Sequence, residues 1–345
     1  MPLLLALLDD GDPRARAQAA RALAAFADRA EVVERLGRVK DDPCWPVRAG
    51  AYESLSLAEP RLAIPLLVQA VLREEGEMAW RVDRHLERLT GCTFEHKTSA
   101  WGGWYEEAAP SIEDETFRRR GRGDDAWEET RTVASFFRVP LVSRRVTFAI
   151  DFSESMEYVY LHNDEATNRV WRELRLPHSR LGSAVAELVR ALRGMDDGVL
   201  FNVVAFADDA RSLAPQLQHL NDATRQATVT WATQLEQGVA TDVYGALRAC
   251  FQDYWDGSTG AGRFADLPDT LVLLTDGHAT SGLVKDLASL RRILRLWNEP
   301  VGMAVHGVGI GATHDAALLG ALADDTWGMY VHLFEPSKSA KRKRR

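Results

Sequence analysis

Three oxygen-bearing side chains stand at alternate positions where an apolar run of the sequence ends. The stretch "RVTFAIDFSES" predicts a buried strand that ends at Asp151 and is followed by Ser153 and Ser155. Side chains two residues apart on an extended chain face the same way, so one carboxylate and two hydroxyls are presented together. Mg²⁺ prefers such oxygen ligands and keeps part of its water shell. The segment therefore predicts part of a divalent-cation site.

Two later segments supply the remaining ligands of this candidate site. "GVATDVYGAL" places Thr241 at the mouth of a helix, and "LLTDGHATSG" places Asp276 at the end of a second buried strand, with Gly277 allowing a sharp turn. Mg²⁺ or Mn²⁺ is the expected cofactor, because both are bound mainly by oxygen. The candidate metal ligands are Asp151, Ser153, Ser155, Thr241 and Asp276.

Strands and helices that alternate from about residue 140 are expected to position these ligands. Segments such as "TLVLL" and "VGMAVHGV" are continuous apolar runs, which are typical of strands buried on both faces. Their alternation with amphipathic helical segments predicts an α/β fold, a doubly wound, mostly parallel, Rossmann-like sheet. Ligands of such sheets bind outside the carboxyl ends of the strands, where the candidate ligands are placed.

The first 95 residues have a different pattern, rich in Ala, Leu and Arg with helical periodicity. Two blocks open with Asp-Pro, a natural helix start because Asp caps and Pro fits the first turn. The recurrence predicts an all-α domain of HEAT-like repeats, with a non-repetitive bundle as the alternative. Stacked repeats leave a concave surface for a partner. The pairs that recur at a separation of 32 are Arg16/Arg48, Ala19/Ala51 and Leu23/Leu55.

The sequence predicts four successive regions. Within the second region, "WGGWYEE" is expected to pack against the last repeat and "RRRGRGDD" (118–125) to form an exposed linker. In the third, residues 157–177 are expected to form a long loop beside the candidate site. The regions are HEAT-like repeats at 1–95, a linker and packing segment at 96–140, the α/β domain at 141–335 and a basic tail at 336–345.

Composition limits the functional classes. A net charge of −8 and a pI of about 5.7 argue against a dedicated nucleic-acid binder; the terminal "KRKRR" predicts a solvated tail, with a weak nucleic-acid role as the alternative. No apolar run reaches the roughly 18 residues of a membrane helix. Three cysteines without a CxxC motif indicate core thiols in a reducing compartment. A cytoplasmic location is expected. The helical pattern also predicts that the chain begins in mid-repeat, with a missing upstream leader as the alternative to a cytoplasmic location.

The motifs of the second half resemble the von Willebrand factor A domain with its metal-ion-dependent adhesion site. They occur in the family's order as "DFSES", "GVATD" and "LTDG". The resemblance covers about residues 140–335. The whole chain resembles bacterial proteins that join HEAT repeats to this domain. The resemblance implies binding rather than turnover. Ser153, Ser155 and Thr241 would ligate the metal directly, Asp151 and Asp276 directly or through water, and an Asp or Glu of a protein partner would take the open position.

Two acids beside the motifs depart from the family's pattern or add to it. Glu154 stands where many members have Gly, and we expect it to point to solvent rather than to add charge beside the metal. Asp242 follows Thr241, and we expect it to be a helix-start acid; a role behind the metal ligands is the alternative.

Three functions are compatible with these residues. A metal-dependent protein–protein interaction module or adaptor, not an enzyme, is favoured. A metal-dependent hydrolase would need a positioned base and a metal-held water, and a structural scaffold would leave the site unused. The sequence has no G-x-x-x-x-G-K-[ST], H-E-x-x-H or G-x-S-x-G motif, so it lacks the signatures of a P-loop nucleotidase, a zinc protease and a serine hydrolase.

Overall fold

The computed structural model describes residues 1–94, 96–119, 134–160, 164–255 and 261–334. The chain divides into two compact units. The helical unit comprises Met1–Thr132 with Gly257–Ala265 and Glu299–Gly302, and the sheet unit comprises the remainder. Residues 96–119 thus group with the helices, and 134–140 with the sheet. Most of the predicted linker at 118–125 and the whole basic tail at 336–345 lie outside the described residues, and the three predicted boundaries between the four regions stay predictions.

α-Helices with buried apolar side chains build the described part of the helical unit. Ala, Leu and Val side chains fill its interior, as the 3.6-residue period predicts. The helices are α1 (Pro2–Leu7), α2 (Pro13–Ala22), α3 (Ala30–Val39), α4 (Trp45–Leu55), α5 (Pro60–Arg73), α6 (Gly76–Thr90) and α7 (Ala100–Glu113).

The two Asp-Pro blocks start their helices differently. Asp12 caps α2 as predicted, because its side chain accepts a hydrogen bond from the Arg14 N–H at 2.9 Å. Asp42 does not cap α4: its side chain accepts from the Cys44 N–H at 2.8 Å, and the helix begins two residues beyond the Asp-Pro pair. A second proline, Pro46, occupies the first turn of α4, where its missing N–H costs nothing.

Arginines 32 residues apart make equivalent contacts. Arg16 pairs with Asp42 at 2.7 Å and donates to the backbone oxygen of Asp10 at 2.9 Å. Arg48 pairs with Glu74 at 2.6 Å and donates to the backbone oxygen of Asp42 at 2.8 Å. The 32-residue period of the sequence is therefore also a period of the three-dimensional contacts, as a helical repeat requires.

The aromatic segment after α6 packs as predicted. Trp101 on α7 is buried, and its Nε1 donates to Asp83 of α6 at 2.6 Å. The rings of Phe94 and Trp104 meet it edge to face at 4.7 and 5.2 Å. This hydrogen bond lets the indole be buried without leaving its N–H unsatisfied.

A sheet flanked by helices forms the sheet unit. The strands are β1 (Ser135–Phe136), β2 (Val139–Pro140), β3 (Arg145–Asp151), β4 (Leu200–Phe206), β5 (Ala210–Ser212), β6 (Gln218–His219), β7 (Thr270–Thr275), β8 (Ala304–Ile310) and β9 (Tyr330–Leu333). The order in the sheet is β5-β4-β3-β7-β8-β9, with β6 also paired to β4. Neighbours from β4 through β3, β7 and β8 to β9 are parallel, whereas β5 and β6 run antiparallel to β4.

The mostly parallel α/β architecture predicted from the sequence is confirmed. Strands β3, β4, β7 and β8 are buried along nearly their whole length, because helices cover both faces of a parallel sheet. The helices are α8 (Glu165–Glu173), α9 (Arg180–Gly194), α10 (Asp222–Gln234), α11 (Val243–Trp255), α12 (Leu287–Asn298) and α13 (Ala316–Asp324).

Several short elements differ from the prediction. The segment 157–177 is not a plain loop, because α8 occupies its second part, capped by Asp164. The hairpin strands β1 and β2 and the edge strands β5 and β6 have only two or three residues each, too few to show a period of two in the sequence. None of the helices in the described parts of the chain is long and apolar enough to cross a membrane.

A carboxylate at the end of α13, that of Asp325, joins this helix to α12 by accepting hydrogen bonds from two of the three arginines of α12. Asp325 accepts hydrogen bonds from Arg291 at 2.7 Å and from Arg295 at 2.6 and 2.8 Å. These bonds, that of Arg291 first, hold the pKa of Asp325 down to about 2. The ionised carboxylate is therefore the form that the folded sheet unit favours.

Replacing this carboxylate should destabilise the sheet unit in a pH-dependent way. We expect Asp325→Asn to lower the free energy of unfolding by about 1 kcal/mol at pH 7, because both arginines are partly exposed and solvent screens the pair. The folded-state pKa lies below the unfolded one, so the contribution is complete above about pH 4 and disappears as the pH falls toward 2. Urea unfolding of both proteins at pH 7, 5 and 3.5 measures it, with the exposed Asp324→Asn as control; a difference independent of pH would contradict it.

Candidate functional site

The candidate ligands gather where the central strands end. Strand β3 ends at Asp151 and its neighbour β7 ends at Thr275, and the register pairs Ile150 with Leu274 just before these ends. Parallel register therefore sets Asp151 and Asp276 at one edge of the sheet. This is the edge at which ligands of open α/β sheets bind.

Three loops carry the predicted ligands that follow Asp151: the first is residues 152–160 after β3, the second 235–242 before α11 and the third 276–286 after β7. Hydrogen bonds link four of the predicted ligands across the first and third loops. The Ser153 N–H donates to Asp151 Oδ1 at 2.8 Å. The hydroxyl oxygens of Ser153 and Ser155 lie 3.0 Å apart, and the Ser155 hydroxyl donates to Asp276 Oδ1 at 2.6 Å. Since the Ser155 proton goes to Asp276, the Ser153 proton goes to Ser155. Both serine oxygens keep lone pairs, which is what metal ligands need.

Asp151 is a buried carboxylate held by neutral donors. It is fully buried, and the hydroxyl of Thr275 donates to its Oδ2 at 2.6 Å. Burial raises the pKa of Asp151 to about 6, against the lowering effect of the hydrogen bonds from Ser153 and Thr275; the nearby charge of Asp276 also raises it. Ionised Asp151 therefore costs free energy in the folded protein, and a bound cation would offset that cost.

Thr241 reaches the site through its backbone. Its N–H donates to the Thr280 hydroxyl at 2.9 Å, and its carbonyl accepts from the Thr280 N–H at 3.0 Å, so the second loop is tied to the third. A bridge between Ser153 and Gly238 ties the second loop to the first. Thr241 is buried at this junction, but among the described residues its hydroxyl is not part of the hydrogen-bonded chain of the other four.

The two acids outside the ligand set behave as predicted. Glu154 is exposed to solvent. Asp242 accepts a hydrogen bond from the Gly245 N–H at 2.8 Å, in the first turn of α11, where a negative charge also meets the positive end of the helix dipole. Neither acid needs a role at a metal to explain its position.

Two residues of the site were not predicted from the sequence. Thr275 belongs to the quoted motif "LTDG", but no role was predicted for it; its hydroxyl donates to Asp151. Arg180, at the start of α9, is 5% exposed, and its Nη1 lies 2.8 Å from Asp276 Oδ2. A positive charge in the first turn of a helix opposes the helix dipole. This unfavourable position was the available signal, but nothing in the sequence showed that Arg180 would meet Asp276.

The donor set fits a hard divalent cation. Its atoms are hydroxyl and carboxylate oxygens, which suit Mg²⁺ and Mn²⁺. No group of three or more His, Cys, Asp and Glu side chains that could hold a metal exists in the described parts of the chain. A site here therefore depends on the hydroxyls of Ser153 and Ser155 as much as on the two carboxylates. Their assignment as ligands stays a prediction.

Comparison with known proteins identifies both halves. Residues 178–332 match the family model of the von Willebrand factor type A domain, and residues 1–80 match that of HEAT repeats. The first match contains Thr241 and Asp276, while the "DFSES" segment precedes it. A comparison with curated proteins finds no match.

Three solved structures that are similar to part of the chain come from different organisms. A von Willebrand factor type A protein from Catenulispora acidiphila is 21% identical over 59% of this chain and 42% of its own, with a TM-score of 0.42. BatB from Bacteroides thetaiotaomicron is 17% identical over 57% of this chain and 93% of its own, with a TM-score of 0.35. Proximal thread matrix protein 1 from the mussel byssus, "with zinc occupied MIDAS motif", is 15% identical over 55% of this chain and 43% of its own, with a TM-score of 0.37.

The chain spans less than half the length of the first and third of these structures. The family match over residues 178–332 agrees with the mostly parallel sheet of that region, and the match over residues 1–80 agrees with its helices. The chain contains HEAT repeats, matched over residues 1–80, and a von Willebrand factor type A domain, matched over residues 178–332.

Proposed function

We propose that this protein is a metal-dependent protein-interaction module. Asp151, Ser153, Ser155, Thr241 and Asp276 hold Mg²⁺ or Mn²⁺, and the ion binds an Asp or Glu carboxylate of a partner protein. The observation that carries the proposal is the hydrogen-bonded chain from Ser153 through Ser155 to Asp276, beside the buried carboxylate of Asp151. It aligns oxygen donors from two loops at the ligand-binding edge of the sheet.

The neutral hydroxyls give such a site its binding character. Hydroxyl ligands leave most of the ion's charge uncompensated, so the bound ion supplies an electrophilic position for a carboxylate from outside. At 4 Å and an effective dielectric of 20, two unit charges attract by about 4 kcal/mol. One metal–carboxylate contact can therefore contribute a large part of the affinity for a partner.

Exposed apolar side chains on the same three loops favour a protein partner. Tyr158 and Val159 lie on the first loop and are 65% and 71% exposed. Val239 on the second loop is 75% exposed, and Leu283 on the third is 82% exposed. Single exposed apolar side chains are ordinary, but their occurrence on all three loops of one site is typical of docking surfaces. The partner then presents an acidic residue among apolar neighbours.

We infer binding rather than catalysis from the groups that contact the site. A hydrolase needs a base placed beside a metal-held water. Both oxygens of Asp151 already accept hydrogen bonds, and Asp276 shares its oxygens between Ser155 and Arg180. The HEAT repeats offer a second surface for a partner, so the two units together suit an adaptor.

Calorimetric titration of chelator-treated protein with Mg²⁺ and Mn²⁺ tests the metal site. We expect one ion per chain, and we expect Ser155→Ala to weaken binding about tenfold, because one ligand oxygen and its link to Asp276 are lost. Ser143→Ala is the matched control: Ser143 is also a buried serine, but it lies at the opposite edge of the sheet, beside Asp269. Absence of binding in the wild type would refute the metal site.

Capture of a partner tests the interaction itself. Immobilised protein is exposed to a lysate of its own source in Mg²⁺ or in EDTA, and each protein retained only with Mg²⁺ is then made with single Asp→Asn and Glu→Gln changes. We expect one such change to abolish binding, since the proposal requires one carboxylate to contact the ion. Retention that is equal in Mg²⁺ and EDTA would contradict it.

A further inference from the structure

A buried arginine stands where the sequence predicted only metal ligands. The guanidinium of Arg180 is 5% exposed, and its Nη1 lies 2.8 Å from Asp276 Oδ2. The other oxygen of Asp276 accepts from Ser155 at 2.6 Å. Asp276 therefore gives one oxygen to the hydroxyl chain of the candidate site and the other to a permanent positive charge, because an arginine does not lose its proton in proteins.

The surroundings hold this guanidinium in place. The ring of Tyr158 lies under it, with the Arg180 Cζ 5.1 Å from the ring centroid, a cation–π distance. Gly311, at a φ of +80°, leaves the space beside it; a Cβ there would lie 2.4 Å from Nη2. The Arg180 N–H also donates to the Tyr158 carbonyl at 3.0 Å, which fixes the start of α9 against the first loop.

The position of Arg180 costs free energy that its contact with Asp276 offsets. A cation in the first turn of α9 opposes the helix dipole, and burial removes its water. The ion pair with a fully buried Asp276 compensates both effects, since buried charges are tolerated only when paired.

We propose that Arg180 is the built-in counter-ion of the site: it neutralises Asp276 when no metal is bound, and it lowers the affinity for a divalent cation so that the loaded site remains positive. The inference rests on the proposed function. The two carboxylates and the guanidinium together carry one formal negative charge, so a divalent ion brings the site to one positive charge. Without the arginine the loaded site would be neutral and would attract a partner's carboxylate less strongly.

Arg180→Gln tests the proposal through two effects of opposite sign. With EDTA present, we expect the melting temperature of the variant to fall by several degrees, because two buried carboxylates lose their cation. In titrations with Mn²⁺ alone, we expect the variant to bind about tenfold more tightly than the wild type, because the repulsion between guanidinium and ion is gone. A merely structural arginine would also lower stability when replaced, but the Mn²⁺ affinity would stay equal or become weaker. An equal or weaker Mn²⁺ affinity in Arg180→Gln would therefore overturn the proposal.

Three further variants keep the result interpretable. Arg190→Gln is the matched control on the same helix; it removes a cation from buried Glu187 and should lower stability without changing Mn²⁺ affinity. Arg180→Lys keeps the charge and should bind Mn²⁺ like the wild type. In an Asp276→Asn background, Arg180→Gln should no longer lower the EDTA melting temperature, since the charge it served is absent; an unchanged loss would overturn the counter-ion role.

The outcomes separate this inference from the proposed function. A wild type that binds Mn²⁺ and an Arg180→Gln variant that binds it no better overturn the inference alone. A wild type without Mn²⁺ binding overturns the proposed metal site. If Arg180→Gln nevertheless binds Mn²⁺, the guanidinium neutralises the carboxylates in place of a metal ion, which supports its role as counter-ion. If neither protein binds, both proposals are wrong.

Discussion

Asp151→Asn should weaken Mg²⁺ and Mn²⁺ binding by at least about 100-fold. The substitution keeps the shape of a fully buried side chain and removes one negative charge from the ligand set. Loss of a charge–charge attraction of about 4 kcal/mol at 4 Å corresponds to nearly three powers of ten in affinity, and relaxation of the loops recovers part of it. Calorimetric titration of chelator-treated protein with each ion measures the effect.

The stability of the metal-free protein distinguishes a lost ligand from a damaged fold. The Ser153 N–H can still donate to the amide oxygen of an asparagine, and the Thr275 hydroxyl can rotate to accept from the amide nitrogen, so an amide should be tolerated. We expect the EDTA melting temperature of Asp151→Asn to stay within a few degrees of the wild type. Asp269→Asn is the matched control, since Asp269 is also buried but precedes β7 at the opposite edge of the sheet. Equal losses of metal affinity in both variants would contradict the assignment of Asp151.

Glu187→Ala should lower the free energy of unfolding of the sheet unit by about 3 kcal/mol. Glu187 lies on α9, is buried, and accepts from the Phe137 N–H at 2.7 Å, from the Thr167 hydroxyl and from Arg190 at 2.6 and 2.8 Å. It joins the hairpin of β1 and β2 to α8 and α9. Truncation removes the carboxylate that all three donors share, and taking one partner from a buried hydrogen bond costs more than replacing both partners by apolar groups.

Denaturant unfolding in EDTA measures this effect, with two comparisons. Glu187→Gln keeps one acceptor oxygen and should cost about half as much, since Arg190 is partly exposed and solvent screens its charge. Arg193 lies on α9, as Glu187 does, and pairs with the exposed Glu173 of α8. Glu173→Ala removes this exposed partner and should cost less than about 1 kcal/mol. If Glu173→Ala destabilised the protein as much as Glu187→Ala, the buried acceptor would not be the cause.

The main architecture could be predicted because periodicity records burial. Apolar runs such as that of β7 indicated strands covered on both faces, and amphipathic segments such as that of α9 indicated the helices between them. The 32-residue recurrence predicted a helical repeat, and the equivalent contacts of Arg16 and Arg48 follow it. The two-residue strands and the helix α8 within the predicted loop lacked a pattern long enough to detect.

The site could be predicted in part, for a related reason. Spacing and strand ends sufficed to bring Asp151, Ser153 and Ser155 to one edge of the sheet with Asp276, because parallel strands in register end together. Spacing says nothing about which hydroxyl donates to which oxygen, and the position of the Thr241 hydroxyl was not settled by it.

The sequence by itself determined the two kinds of fold and the oxygen-rich end of the sheet. Only the tertiary structure decided that Arg180 pairs with Asp276, that Glu187 is buried among four donors, and that Asp325 joins α12 to α13. In the sequence each of these is a charged residue of an ordinary amphipathic helix or helix end. The strength of a charge interaction depends on distance and on the removal of water, and both are set by residues far away along the chain.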